Sequence, residues 1–332
     1  MEYDSSRRTF LKTIGASTAA AVVPVGSAAA ADDWTVAETP VGGAAAANGW
    51  TVAKTPVDGT LHDVSYTVEN PFAAGDGGVL LERQSSGWTT VLQGGPTGNG
   101  NDLYGTATTD DGRRLWVVGA SGAIGEYDVE SGNLVDRSAP NDVTDNFNSV
   151  AVTGPAGDAD VYVADDSGAL HYSFDNGKEG TWEYEAPGSG SAFPAIEFYD
   201  SRSGHAVDSN GKVYATDDGV TYDIIGLEDA DVSFYGLDSD GADDVTVSGG
   251  NASVFTYDGS QWTTESLGDA DLFDVETDGP NGYAVGSGGA VFELSGGTWT
   301  RNETPTGENL NAVATGRQDD LAVGAGGTII ER

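Results

Sequence analysis

Residues 272–299 read LFDVETDGPNGYAVGSGGAVFELSGGTW. A Leu-x-x-Val core is followed by a polar turn, Ala-Val-Gly-x-x-Gly, a β-branched run and Gly-x-x-Trp. Six further copies align on Gly289, at Gly78, Gly122, Gly168, Gly211, Ala252 and Gly327, with spacings of 44, 46, 43, 41, 37 and 38 residues. A period near forty with four short strands per unit is the signature of a propeller blade. The chain is therefore expected to be an all-β, seven-bladed β-propeller with four-stranded blades. Runs of Val, Ile, Leu, Phe and Tyr broken by Gly, Asp, Asn and Pro support strands throughout.

The innermost strand of each unit carries LHDV at Leu61, LYGT at Leu103, FNSV at Phe147, FPAI at Phe193, FYGL at Phe234, LFDV at Leu272 and LNAV at Leu310. Face-to-face packing of blades predicts that both faces of this strand are buried. The outermost strand is marked by Trp50, Trp88, Trp182, Tyr222, Trp262 and Trp299, with Leu134 standing in the second unit. The last unit ends at Arg332 after LAVGAGG and TIIER and lacks its fourth strand. Trp50-Thr-Val-Ala-Lys-Thr-Pro precedes Leu61 by the same 11 residues that separate Trp299 from Leu310. The N-terminal strand is thus expected to complete the last blade, which removes an exposed sheet edge. WTVAETPVGG at Trp34 nearly duplicates this segment, either as a redundant or disordered copy or as an extra edge strand or a swapped closure.

Lys plus Arg number 14 against 53 Asp plus Glu, a net charge of -39. Such self-repulsion opposes a compact state unless it is screened, and the Debye length falls from roughly 8 Å at physiological salt to about 3 Å at 1 M. The composition points to molar salt and excludes nucleic acid, which needs clustered Lys and Arg. Residues 1–31 pair Arg7 and Arg8 with a short apolar run and an alanine-rich end, the pattern of a twin-arginine signal peptide. Residues 32–49 hold the duplicate segment, and 50–332 hold the propeller. No later segment approaches a membrane span. Without cysteine, disulfides, thiol-linked lipid and thiolate metal sites are excluded. A monomer outside the cell or at its surface is expected.

These units resemble the photosystem II assembly-factor-like propellers and the related BNR/Asp-box propellers, in an exported haloarchaeal version. Ala215-Thr-Asp217-Asp-Gly219-Val-Thr221-Tyr222 is similar to an Asp-box, with Ala for Ser and Tyr for Trp. Looser copies lie at Asp175, Gly177, Thr181 and Trp182, and at Asp258, Gly259 and Trp262. The resemblance implies that these boxes are structural turns between third and fourth strands. It carries fold, not function, because propellers host unrelated activities.

A sialidase would need three arginines converging on the axis, and no arginine falls in an inner-strand core. His62, His171 and His205 occupy different strand layers of different units, which suits packing better than a metal site. Loops entering the inner strands carry Asp102, Asp145, Asp271 and Glu308, oxygen ligands suited to a hard cation such as Ca²⁺. Asp238 and Asp240 lie in an Asp-rich stretch that resembles a calcium turn. Asn251 and Asn302 begin glycosylation sequons. Tyr104, Tyr235 and Phe273 are either stacking residues at the axis or inter-blade core. The expected function is a non-enzymatic binding or scaffold module for a protein or glycan; the alternative is a carbohydrate hydrolase or lyase using axial carboxylates.

Overall fold

A computed structural model describes residues 49–188, 190–227, 230–316 and 319–332. The leader and the Trp34 copy lie outside the described residues. Seven antiparallel sheets of four strands follow one another in sequence order around a ring. In the first blade the strands are Leu61–Tyr66, Pro71–Gly75, Val79–Gln84 and Gly87–Leu92. The seventh blade consists of Leu310–Ala314, Leu321–Gly324, Ile329–Glu331 and, as expected, the N-terminal strand Thr51–Val52. Thr51 pairs with Glu331 and Val52 with Ile330, and the Ala53 N–H donates to Ile329 O at 2.9 Å.

The core is divided into seven apolar clusters, one at each blade interface. Six of the seven take in the aromatic that marks a fourth strand. Trp88 packs between the seventh and first blades, Trp182 between the second and third, and Trp50, fully buried, meets Tyr283 edge-on at 5.5 Å. Leu134 fills the same slot between the first and second blades, so the irregular repeat keeps the interface with an aliphatic side chain.

The Ala-Val-Gly-x-x-Gly signature is a close-approach device. A Cβ on Gly286 would lie 1.9 Å from Asp271 O, and one on Gly289, at φ +71°, would lie 2.2 Å from Thr306 O. Two glycines let the second-to-third-strand turn sit directly against the loop entering the inner strand and the loop leaving the fourth. Ala252 takes the second slot of the fifth blade with a φ of +50°.

In the fourth and fifth blades the turns between third and fourth strands are closed by carboxylates. In the box-like segment Asp218, not Asp217, accepts the N–H groups of Val220 and Thr221 at 2.8 and 2.7 Å and the Thr221 hydroxyl at 2.9 Å. Asp258 accepts the Ser260 hydroxyl and the N–H groups of Ser260 and Gln261, and these bonds lower its pKa to about 2. Both are short-range turns of the kind Asp forms with its own backbone two residues on.

His205 is buried, and its Nδ1 lies 2.7 Å from Ser239 Oγ. Burial lowers its pKa from 6.5 to about 4. Between those values the unfolded chain holds a proton that the folded chain refuses, so this stability is complete above pH about 6.5 and is lost as the pH falls toward 4. At 1.36 kcal/mol per unit the window amounts to roughly 3 kcal/mol. The His205 ring resonances should therefore remain those of a neutral imidazole at pH about 5. A titration midpoint near the unperturbed value would show that water reaches the site.

Candidate functional site: the axial channel

The inner strands run in one sense around the axis, and six of them bulge at the same place. Pairing with the second strand slips between Leu61 and Asp63, Leu103 and Gly105, Phe147 and Ser149, Phe234 and Gly236, Leu272 and Asp274, and Leu310 and Ala312. A bulge leaves one residue out of the ladder and re-aims the strand. The bulged residues are His62, Tyr104, Asn148, Tyr235, Phe273 and Asn311, with Pro194 in the same place in the fourth blade. All seven are half-buried and line one cavity on the axis. The expectation that both faces of the inner strand are buried fails here, because seven blades leave an open centre. Tyr104, Tyr235 and Phe273 are accordingly channel lining rather than inter-blade core.

Four of these seven form two edge-on ring pairs, His62 with Tyr104 at 5.1 Å and Tyr235 with Phe273 at 5.7 Å. His62 Nε2 lies 2.8 Å from Asp76 Oδ1, and the Thr60 N–H donates to Asp76 Oδ2 at 2.8 Å. Burial raises the Asp76 carboxyl, but the His62 and Thr60 contacts outweigh it and hold the pKa below the ordinary value. The two amides are used across blade interfaces. Asn148 Nδ2 donates to Phe193 O at 3.2 Å and Asn311 Nδ2 to Leu61 O at 2.9 Å.

One residue further on, two carboxylates and a hydroxyl stitch three of the blades to the next. Asp63 Oδ2 accepts the Thr106 N–H at 2.6 Å, Ser149 Oγ accepts the Ile196 N–H at 3.4 Å, and Asp274 Oδ2 accepts the Val313 N–H at 2.9 Å. Glu197 does the same for the Ser239 N–H at 3.0 Å. At the alternate positions Gly105 and Gly236 let neighbouring inner strands touch; a Cβ on Gly236 would lie 2.6 Å from Asp274 Cα. Asp63, Asp274, Glu197 and Glu276 do not stand out in the sequence as site residues. Their signal was a constant offset from the inner-strand Leu or Phe, two residues for the aspartates and four for the glutamates.

Two of the four loop acids expected to gather around a cation cap turns. Asp102 Oδ1 accepts the Gly77 N–H at 2.7 Å and Asp271 Oδ1 the Asn251 N–H at 3.1 Å, each on the preceding blade. Asn146 and Asn309 repeat the contact on Ser121 and Gly288. Asp145 and Glu308 are exposed. Asp238 and Asp240 fall within the strand Phe234–Gly241 rather than in a turn, and buried Asp238 accepts the Thr277 hydroxyl. Hydrogen-bonded pairing with Asp244–Gly249 draws that Asp-rich stretch into the ladder. Among the described residues no three His, Asp or Glu side chains are grouped to hold a metal ion. His171 pairs with Asp165 at 2.9 Å inside the third blade, so the histidines remain apart.

Three arginines serve blade seams rather than the axis. Arg83 joins Glu331 across the first and seventh blades at 2.7 Å, and Arg202 joins Asp160 across the fourth and third at 2.9 Å. Arg332 joins Glu293 across the seventh and sixth at 2.8 Å. Among the described residues no Lys or Arg lines the channel at the aromatic end or at the other, where Tyr66, Thr108, Asp110, Glu276 and Thr315 stand.

No family model and no curated protein matches the sequence. Solved structures do. YCF48 from Cyanidioschyzon merolae aligns with a TM-score of 0.68 at 16% identity, over 85% of this chain and 98% of that one. The WD40 propeller domain of Doa1 aligns with a TM-score of 0.70 at 11% identity, over 86% and 97%. An inactive variant of virginiamycin B lyase from Staphylococcus aureus aligns with a TM-score of 0.72 at 12% identity, over 85% and 98%. The chain is a seven-bladed β-propeller. Identities this low carry the fold alone. Among the described residues no helix is long and apolar enough to cross a membrane.

Proposed function

We propose that this propeller is an exported, non-enzymatic binding module of a high-salt environment that holds a protein partner at the aromatic mouth of its axial channel. The observation that carries the reading is the ring of bulged residues. Three large aromatics, Tyr104, Tyr235 and Phe273, stand half-exposed in the cavity lining, outside the seven interface clusters that absorb the fourth-strand aromatics. No hydrogen bond engages the hydroxyl of Tyr104 or Tyr235 among the described residues, and phenols of this kind supply both a flat apolar face and a polar tip. A second YCF48 structure, with a TM-score of 0.68 at 14% identity, is bound to a D1 peptide, which supports peptide binding on this architecture. The surplus of acid and the twin-arginine leader support export into salt.

A random heptapeptide library panned on the protein in molar KCl tests the reading. Enriched peptides should lose at least about tenfold in affinity for the double variant Tyr104→Ala and Phe273→Ala, a change of about 1.4 kcal/mol. The melting temperature of that variant should hardly move, since both side chains are half-exposed. Failure to enrich any sequence, or enrichment indifferent to the two substitutions, rejects the mouth as a protein-binding site.

A further inference from the structure

Below the aromatic ring the chemistry of the channel changes. Asp63 and Asp274 follow the bulged residues directly, and Glu197 lies four residues past Phe193. At about 3.3 Å per strand residue these carboxylates lie roughly 3–10 Å deeper than the rings. Each is anchored by an N–H of the next blade, so its oxygens are fixed in place. Glu276 continues the series toward the other mouth. At the wall between fifth and sixth blades, Ser248 is fully buried with its Oγ unpartnered. That oxygen lies 2.6 Å from the place of a Gly236 Cβ, beside Asp274.

The acidic outer surface does not explain this arrangement. At molar salt the Debye length of about 3 Å removes attraction at range, so a cation is held only by groups that touch it. Ring faces hold a cation within about 6 Å of their centroids, and best where water is excluded. Lys and Arg carry such a cation at the end of an apolar stem, which suits a path past aromatic faces to carboxylates below.

We propose that the axial mouth takes the guanidinium or ammonium side chain of a basic, extended peptide, with Tyr104, Tyr235 and Phe273 around the stem and Asp63, Asp274 and Glu197 beneath the charge. This rests on the mouth being a protein-binding site and names the chemistry of its partner. The full chain in molar KCl is titrated with a blocked Gly/Ser heptapeptide bearing one central arginine, and with the same peptide bearing neutral citrulline. Ring resonances of Tyr104, Tyr235 and Phe273 report occupancy. The arginine peptide should bind at least about tenfold more tightly, the order that a desolvated cation–π contact supplies. Replacing Asp63→Asn and Asp274→Asn should remove the preference while keeping the oxygens that accept the Thr106 and Val313 N–H groups, so the melting transition is retained; Glu197→Gln is an independent second variant.

Equal affinity for the two peptides overturns the cationic ligand and leaves peptide binding standing. Absence of binding by either at millimolar concentration overturns it as well, while the library selection decides the broader reading separately. Displacement of the arginine peptide by calcium chloride at fixed ionic strength would assign the carboxylates to a divalent cation and reject the side chain as occupant.

Discussion

Deletion of residues 1–56 should convert the protein into an aggregating or dimeric species with a strongly lowered melting temperature. The deletion removes Thr51–Val52 from the edge of the seventh blade and leaves Ile329–Glu331 without its ladder partner. It also removes the Thr55 hydroxyl that donates to Gly327 O at 2.7 Å, and it empties the fully buried slot of Trp50 beside Tyr283, Val285 and Ile330. A Trp-to-Ala core truncation alone costs roughly 3–5 kcal/mol, against a typical domain stability of about 5–15 kcal/mol. The freed edge then offers unpaired N–H and C=O groups to a second chain. Deleting only residues 1–49 should leave the melting temperature nearly unchanged, because Trp50 and its strand remain. Light scattering after size exclusion, with calorimetry on both deletions, makes the comparison. Two deletions that melt together as monomers would refute closure by the N-terminal strand.

The second large effect concerns salt. With a net charge of -39, the fold should lose its cooperative transition in about 10 mM salt, where the Debye length is roughly 30 Å, and regain it in molar KCl, where it is about 3 Å. The described arginines offer little relief, since Arg83, Arg202 and Arg332 are already paired one-to-one at blade seams. Circular dichroism during dialysis in both directions gives the answer. A transition at the same temperature in both salts would remove the high-salt reading of the composition.

The repeat by itself determined the number of blades, the strand order, the slot of each fourth-strand aromatic and the closure. All of these follow from offsets measured along one chain. The Trp50 assignment needed only the 11-residue spacing shared with Trp299 and Leu310. Leu134 kept its slot although its side chain broke the pattern, because position in the repeat decides which interface a residue enters. The channel was decided only by the tertiary structure. His62, Tyr104, Tyr235 and Phe273 lie about forty residues or more apart, and only closure of the ring brings their shared offset onto one axis. Whether a blade packs face to face or borders a void is a property of seven blades together, so a strand expected to be buried on both sides lines a cavity instead. The acids show the same divide. With 53 carboxylates in the chain, counting could not separate Asp102 and Asp271, which cap turns of the preceding blade, from Asp63 and Asp274, which stand beneath the aromatic ring. That separation depends on which N–H each oxygen meets across a blade interface, a contact between residues 20 to 43 positions apart that no local pattern encodes.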